Sequence, residues 1–492
     1  MKKTEAKIKT LLIVFMIIQP ILDNYLLYSD EVIDFFGFSP TTILRIVLLG
    51  LIGIYLYFQK ENSQSRKVIT IYAILVIIYS IIHHIIGSGI DNSLISSNFK
   101  YNIFEELFYL VRMILPFVTA YIVYCLKLTK EEFKEVIVYT SLVISIIMLS
   151  LNLFGVAKTS YFDDFIEGNF FKWHDSKIDR YMLASKGWFN SANQIGGLLL
   201  ILLSLLTYYV IEDKKTSDLI ILCMLILSSF AIGTRTASLG VIVILVITFI
   251  VFILFKIIKK KSFNKREVTF SSIIAIFSLL VFTYAPIVNC TSNNYSCILH
   301  IGSTINDISN KGEKLNDIEY DGSPICSFIK KTSTDSKYFK NIYPCEENIN
   351  FWTSFVDNRT YTNMDNRLIE TLIMHDVYSK IDTSKVNYFG MSRSRLLSAE
   401  FYLEKDIIVH YYTLGILGLI IFIFPYILCC AYIGIKSLIK KTLSPYYISL
   451  ILSIMLPIAI SVLTGHILDE LIVSIYLGFI LGYLLSLKGE DY

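Results

Sequence analysis

Twelve stretches of nearly unbroken apolar residues alternate along the chain with short polar segments. They lie near 10–28, 41–59, 68–87, 104–125, 135–157, 189–210, 218–234, 237–258, 268–287, 406–434, 445–464 and 468–487. A run of roughly 20 apolar residues is long enough to cross about 30 Å of hydrocarbon as a helix. The pattern therefore predicts an all-α polytopic membrane protein with about twelve transmembrane helices. Only residues 235–236 part the seventh and eighth runs, which reads as a helical hairpin. One long polar stretch, 288–405, interrupts the series. The expected organisation is thus helices 1–9 within 1–287, a large loop forming a small subdomain over 288–405, and helices 10–12 within 406–492.

Composition agrees with a membrane solvent. Of 492 residues, 54% are hydrophobic and 17% charged, with mean hydropathy +0.59. A soluble domain is usually about 45–50% apolar and about 25% charged. The net charge of +3 says little as a total; its placement says more. With the N-terminus inside, the inner segments (1–9, 60–67, 126–134, 211–217, 256–267, 435–444, 488–492) hold 22 Lys or Arg, and the short outer ones (29–40, 88–103, 158–188, 235–236, 465–467) hold 7. Basic residues favour the cytoplasmic side. Both termini are then cytoplasmic and the 288–405 loop is extracytoplasmic. That loop carries 13 basic and 15 acidic residues, so it is nearly neutral. A loop of this length is seldom a mere connector. Met1-Lys2-Lys3 resembles the start of a signal peptide, but the apolar run that follows has no small-residue cleavage site and reads as a retained helix. Abundant Ile, Lys, Asn and Tyr hint at a bacterial source.

Several polar residues in this setting need a reason. An arginine within a span costs several kcal/mol unless it is paired or faces a cavity. Arg45 lies near the start of the second run, where its side chain can snorkel outward. Arg112 lies deeper, about two turns into the fourth; it faces a polar cavity or pairs with Glu105, Glu106 or Asp23. Arg235 sits in the hairpin turn Gly233-Thr234-Arg235-Thr236-Ala237-Ser238, which opens a helix whose free amides and dipole favour an anion. The competing reading is an exposed cation on lipid phosphate. The sixth helix opens in Gly187-Trp188-Phe189-Asn190-Ser191-Ala192-Asn193, with Asn190 or Ser191 as N-cap and Asn193 in the first turn. Late in the large loop come Asn366-Arg367-Leu368-Ile369-Glu370, Gly390-Met391-Ser392, Arg393 and Arg395. Glu400, Glu404, Lys405, Asp406, His410, Gly415 and Gly418 lead into the membrane. The loop cysteines Cys290, Cys297, Cys326 and Cys345 allow two disulfides in any of three connectivities, or four free thiols; no CxxC spacing suggests zinc. Trp352 and Tyr361 could stack on sugar faces or simply pack. There is no P-loop and no DxD pair. Asp30-Glu31 and Asp163-Asp164 lack a metal-binding pattern, so neither metal nor cofactor is expected.

These pieces, in this order, resemble the bacterial O-antigen polymerase and O-antigen ligase superfamily. Gly187…Phe189-Asn190…Asn193 is similar to its GxFxNxN helix start, Gly233-Thr234-Arg235 to its SRG-like turn, and Arg367 followed by Gly390 to its loop arginine and GxG-like turn. Ser392 stands where that turn has its second glycine. Aligned on Gly415 and Gly418, the ligase branch's histidine position holds Glu404 and the next holds Lys405; His410 is out of register. A carboxylate there is expected of the polymerase branch. The resemblance implies a GT-C-like glycosyltransferase architecture in the cytoplasmic membrane, acting without metal or cofactor. It implies polymerisation of polyprenyl-pyrophosphate-linked repeat units into a surface polysaccharide such as a capsule. Donor and acceptor would both be lipid-linked saccharides, the setting a lipid bilayer, and the partners flippase and chain-length regulator proteins, with no nucleic acid. Arg235, Arg367 and Glu404 take the catalytic roles; Arg112, Asn190, Asn193, Arg393, Arg395 and His410 are assigned to substrate binding. The alternatives are ligase-type transfer of a finished glycan, a lipid-linked oligosaccharide flippase or other transporter, and a metal-dependent transferase using Asp30-Glu31.

Overall fold

The computed structural model describes residues 2–27, 39–59, 63–91, 95–96, 98–162, 164–175, 177–288, 326, 329, 337–357, 366–381, 383–462 and 464–487. The α-helices of six or more residues are α1 Lys2–Ile18, α2 Pro40–Tyr57, α3 Ser63–Ser88, α4 Ile103–Leu126, α5 Lys130–Leu153, α6 Ala192–Asp213, α7 Thr216–Ala231, α8 Arg235–Ile258 and α9 Lys265–Tyr284. After the large loop begins come α10 Ile349–Asp357, α11 Asn366–Ser379, α12 Thr383–Phe389, α13 Arg393–Ser398, α14 Asp406–Phe422, α15 Phe424–Ile439, α16 Pro445–Ser461 and α17 Leu471–Ser486. Two short strands, β1 Lys158–Thr159 and β2 Ser185–Gly187, pair antiparallel. Among the described residues eight helices are long and apolar enough to cross a membrane: α2 to α6, α8, α9, and the α14–α15 stretch Asp406–Ile439. α7, α16 and α17 are apolar but shorter.

Every apolar run of the sequence is helical, with three departures in detail. The first run gives an α-helix only to Ile18, and Gln19–Leu27 continues as a 3-10 helix. Pro20 removes an amide donor and its ring obstructs a continuing α-helix. The sixth helix starts at Ala192, after an extended Ser191, rather than at 189. The 406–434 run is not one helix: Gly415 is non-helical (φ 69°, ψ −176°) and a second break at Ile423 precedes Pro425.

The chain divides into two compact units. One comprises Met1–Thr70, Arg112–Asn294 and Pro425–Tyr492; the other comprises Ile71–Val111 and Tyr295–Phe424. In the first unit α6 is the centre. It is buried on all sides from Gln194 to Ile211, as its all-round apolar sequence requires, and packs on α7, α8 and α16. Gly240 lets α8 approach closely: a Cβ there would stand 2.6 Å from Leu200 Cδ1. Buried hydroxyls are satisfied in a chain, Tyr209 to Tyr446 at 2.9 Å and Tyr446 to Tyr483 at 3.0 Å. Outward faces carry Ile250, Leu254, Ile276 and Leu280, all exposed, a surface suited to lipid rather than water.

Ion pairs collect where one set of helix ends meets. Lys134 reaches Asp213 and Asp218, each at 2.6 Å, and Glu267 takes Lys256 at 2.8 Å and Lys214 at 3.1 Å. Lys9 joins Glu132 at 3.5 Å. These pairs join the ends of α1, α5, α6, α7, α8 and α9.

The second unit has its own core, built around Trp352, Tyr343, Phe401, Met374 and Ile373. Trp352 is fully buried and its Nε1 donates to the Tyr343 carbonyl at 3.0 Å, so it is a packing residue and not a sugar platform. Tyr361 lies outside the described residues. Cys326 and Cys345 form a disulfide, Cα to Cα 5.7 Å, which selects one pairing from the alternatives; Cys290 and Cys297 lie outside the described residues. Asp30-Glu31 and Asp163 are likewise outside them.

Candidate functional site

In the first unit a polar surface forms where α6 and α8 begin. Thr234 is the N-cap of α8, extended at φ −81°, and its Oγ1 accepts from the Ala237 amide at 3.3 Å. Arg235 is therefore the first helical residue, and it is exposed. Gly233 holds φ 67°, and a Cβ on it would lie 2.6 Å from Ala184 Cβ, so the turn needs glycine for its conformation and for its contact. The segment 158–188 braces the same turn. Ser160 Oγ donates to the Ile232 carbonyl at 2.6 Å and Tyr161 Oη to the Gly233 carbonyl at 3.1 Å. α6 begins next door: a Cβ on Gly196 would be 3.4 Å from Ala237 Cβ. Two long helices thus present their amino ends side by side, and their unsatisfied amides favour negative charge.

On the α6 side, Asn190 is exposed and its carbonyl accepts from Lys186 Nζ at 3.0 Å; Asn193 is half-buried in the first turn. Ser191 is the N-cap but makes no capping bond through its side chain. The next residue, Gln194, is buried and donates from Nε2 to Glu470 Oε2 at 3.0 Å. Arg112 meets the same carboxylate at 3.4 Å and gives Nη2 to the Asp469 carbonyl at 3.0 Å. The partner of Arg112 is thus Glu470, not Glu105, Glu106 or Asp23. Glu470 falls just ahead of α17 and was hidden inside an apolar run in the sequence. Arg45 does not snorkel. It is 1% exposed, paired with Asp23 at 2.9 Å, and bonded to both the side chain and the carbonyl of Gln19. Asp23 comes from the 3-10 segment that Pro20 initiates, so the break in the first helix supplies the counter-charge.

In the second unit the candidate residues line the approach to α14. Met391 and Ser392 donate their amides to the carbonyls of Tyr412 (2.9 Å) and Thr413 (3.0 Å). The turn lies so close that a Cβ on Gly390 would be 2.1 Å from the Thr413 oxygen, and one on Gly415 would be 2.4 Å from the Tyr388 carbonyl carbon. The glycines singled out in the sequence therefore mark where two backbones touch. Ser392 adopts φ 89°, a conformation that favours glycine, although it is serine. Beneath the turn, His83 Nε2 meets Glu106 Oε1 at 2.8 Å and Nδ1 meets the Phe389 carbonyl at 2.5 Å, while the Ser394 amide donates to Glu106 Oε2 at 2.8 Å. His83 and Glu106 anchor this segment. Both fall within apolar runs, and nothing in their local pattern pairs them.

The remaining candidates divide. Arg395 is fully buried and its guanidinium donates to the carbonyls of Phe99 (2.8 Å), Gly87 (2.7 Å) and Ile90 (2.9 Å). Burial lowers its pKa to about 10. These contacts make it a staple of the fold, which corrects its assignment to substrate. Arg393 is buried with its guanidinium 5.7 Å from the centre of the Tyr109 ring. His410 is buried, its Nδ1 2.5 Å from the Asp406 carbonyl. Arg367 is the second residue of α11, and its side chain lies outside the described residues. Glu404 is half-buried in the extended segment before α14, and its amide donates to Glu370 Oε2 at 3.0 Å. Glu370 is buried, also accepts from Tyr338 Oη at 2.7 Å, and burial raises its carboxyl pKa above the ordinary range.

The architecture is that of a helical membrane protein with cationic and carboxylate side chains set at helix ends. The chain matches the family described as O-antigen ligase like membrane protein over residues 5–488 and belongs to it. This is a class of membrane glycan-processing enzymes. No curated protein shows significant sequence similarity to it.

Proposed function

We propose that this protein polymerises polyprenyl-pyrophosphate-linked oligosaccharide repeat units at the outer face of the cytoplasmic membrane. The supporting observation is Arg235, exposed at the first position of α8 where the amino end of α6 lies alongside. In the reaction the acceptor hydroxyl attacks C1 of the donor sugar. The C1–O bond to pyrophosphate breaks, and the polyprenyl pyrophosphate leaves with the bonding pair. That leaving group gains negative charge as the bond stretches. A forked guanidinium and fixed helix-terminal amides suit it. Arg235 takes this role, and Arg367 supplies a second cation. Glu404 accepts the proton of the attacking hydroxyl, as a positioned carboxylate can. Asn190, Asn193 and Arg112 bind saccharide or phosphate oxygens. Twelve helices cross the membrane, both termini are cytoplasmic, and 288–405 is outside. Flippase and chain-length regulator proteins would supply and limit the chain.

The test is replacement of Arg235, Arg367 and Glu404 by Ala, one at a time, in the native host. Polymerisation predicts lipid-bound single repeats and no long chains. Unchanged surface polymer in all three variants would end the assignment. A normal ladder that fails only to reach its final carrier would indicate a ligase; Glu404, standing where the ligase branch has histidine, favours the polymerase.

A further inference from the structure

The loop 464–470 between α16 and α17 carries a cluster that the glycosyl-transfer reading does not use. A ring nitrogen of His466 and carboxylate oxygens of Asp469 and Glu470 all lie within 4.8 Å of one another. The sequence Thr464-Gly465-His466-Ile467-Leu468-Asp469-Glu470 brings three ligand types together over five residues. Asp469 is buried and the other two are half-buried.

A second, separate observation points to a ligand. Gln194 is 3% exposed, and its Nε2 is fixed on Glu470 because a carboxylate can only accept. The amide orientation is thereby set, and Gln194 Oε1 on the same terminal group is buried with no protein partner. Thr464 Oγ1, at the start of the same loop, is also buried and unpartnered. Buried polar atoms left without a partner are rare and costly. Both would be satisfied by water held on a cation.

We propose that His466, Asp469 and Glu470 bind a divalent cation, with Gln194 and Thr464 facing its bound water. One imidazole and two carboxylates suit an ion of the Mn2+ or Zn2+ kind. Ligand atoms about 2.0–2.2 Å from such an ion in tetrahedral geometry lie ~3.3–3.6 Å apart, so atoms at the 4.8 Å limit would close by about 1 Å on binding. With neutral imidazole the two carboxylates contribute two negative charges, and Arg112 offsets one of them. Arg112 places its shorter contact on a carbonyl (3.0 Å) and its longer one on Glu470 Oε2 (3.4 Å), which leaves the other Glu470 oxygen to the ion.

The probe is Mn2+ itself. Full-length protein in detergent, stripped with chelator, is titrated with Mn2+ while the sharp six-line spectrum of the free ion is followed by electron paramagnetic resonance. One equivalent should bind per chain. His466→Ala and Asp469→Asn should each weaken binding at least tenfold while eluting as monodisperse protein. Should Asp469→Asn fail to fold, His466→Gln decides alone. No binding by the native chain would overturn the proposal. Binding unchanged in the variants would place the ion elsewhere and overturn it equally. Neither result depends on which glycosyl transfer the protein performs.

Discussion

Ser392→Gly should make the protein more stable. Ser392 holds φ 89° and ψ 138°, outside the regions that L-residues favour, and such positions cost about 1–3 kcal/mol. Its Oγ is buried without a partner, and an unsatisfied buried hydroxyl costs about 1–3 kcal/mol more. Glycine removes both penalties and adds an unfolded-state entropy term of roughly 0.5–1 kcal/mol. Taking the low to middle of each range, the gain is about 2 kcal/mol. Ser392→Ala separates the causes, since it deletes the hydroxyl and keeps the strained backbone; it should recover only part of the gain. The assay is thermal unfolding of detergent-solubilised protein followed by intrinsic fluorescence, with the three proteins measured side by side. A lower midpoint for Ser392→Gly than for the native chain would refute the reasoning. Equal midpoints for the Gly and Ala variants would show that strain at this residue contributes nothing.

Gly390→Ala and Gly155→Ala form a matched pair. Both glycines have positive φ (78° and 71°), but a Cβ on Gly390 meets the backbone of Thr413 at 2.1 Å whereas one on Gly155 meets nothing within 4 Å. Gly155→Ala should cost about 1–2 kcal/mol and still yield folded protein, while Gly390→Ala should abolish monodisperse expression; similar behaviour of the two on size-exclusion chromatography would contradict this. Glu370 makes stability depend on pH. Its pKa is raised by burial, so between the ordinary carboxylate range and the raised value the folded chain holds more proton than the unfolded one. Stability from this group is full below that range and is lost as pH rises through the raised pKa. In Glu370→Gln, the fall in melting temperature over that window should flatten; an unaltered slope would show that the carboxyl does not set it.

The helices were legible because a membrane solvent imposes a strong pattern. A span must be apolar over its whole length, so each helical run announced itself. The breaks were less legible. Gly415 lies in a run as apolar as any other, and its non-helical conformation is required by the turn at Gly390, 25 positions away in sequence and pressed against it. Local propensity carries no record of that approach. Gln19–Leu27 gave a hint in Pro20, but the reason for the change of helix type is tertiary: it delivers Asp23 to Arg45.

The site shows the same division between what a residue is and what surrounds it. Arg235 could be read in advance as a turn residue between two apolar runs; the structure places it as the first residue of α8, exposed, after the three-residue connection 232–234. Arg395 has the same chemistry and a similar place near a turn, yet it is fully buried and three backbone carbonyls from the 87–99 segment take three of its five N–H donors. A guanidinium that donates three bonds to carbonyls at 2.7–2.9 Å has little left to offer a phosphate, whereas one at a solvent-facing helix start has all of its donors. The sequence reading assigned both arginines to the substrate, one in catalysis and one in binding; burial and hydrogen bonds separate them. It also picks out Glu470 and Asp469, which look like the polar edge of the last apolar run until Arg112 and Gln194 are found converging on them. Buried polar atoms must find partners, so an arginine deep in a span is itself a pointer to a carboxylate. The sequence offered Glu105, Glu106 and Asp23 for that partner because they were near in the chain or at a similar depth. The protein uses a residue 358 positions away, brought there by the packing of the helices around α6.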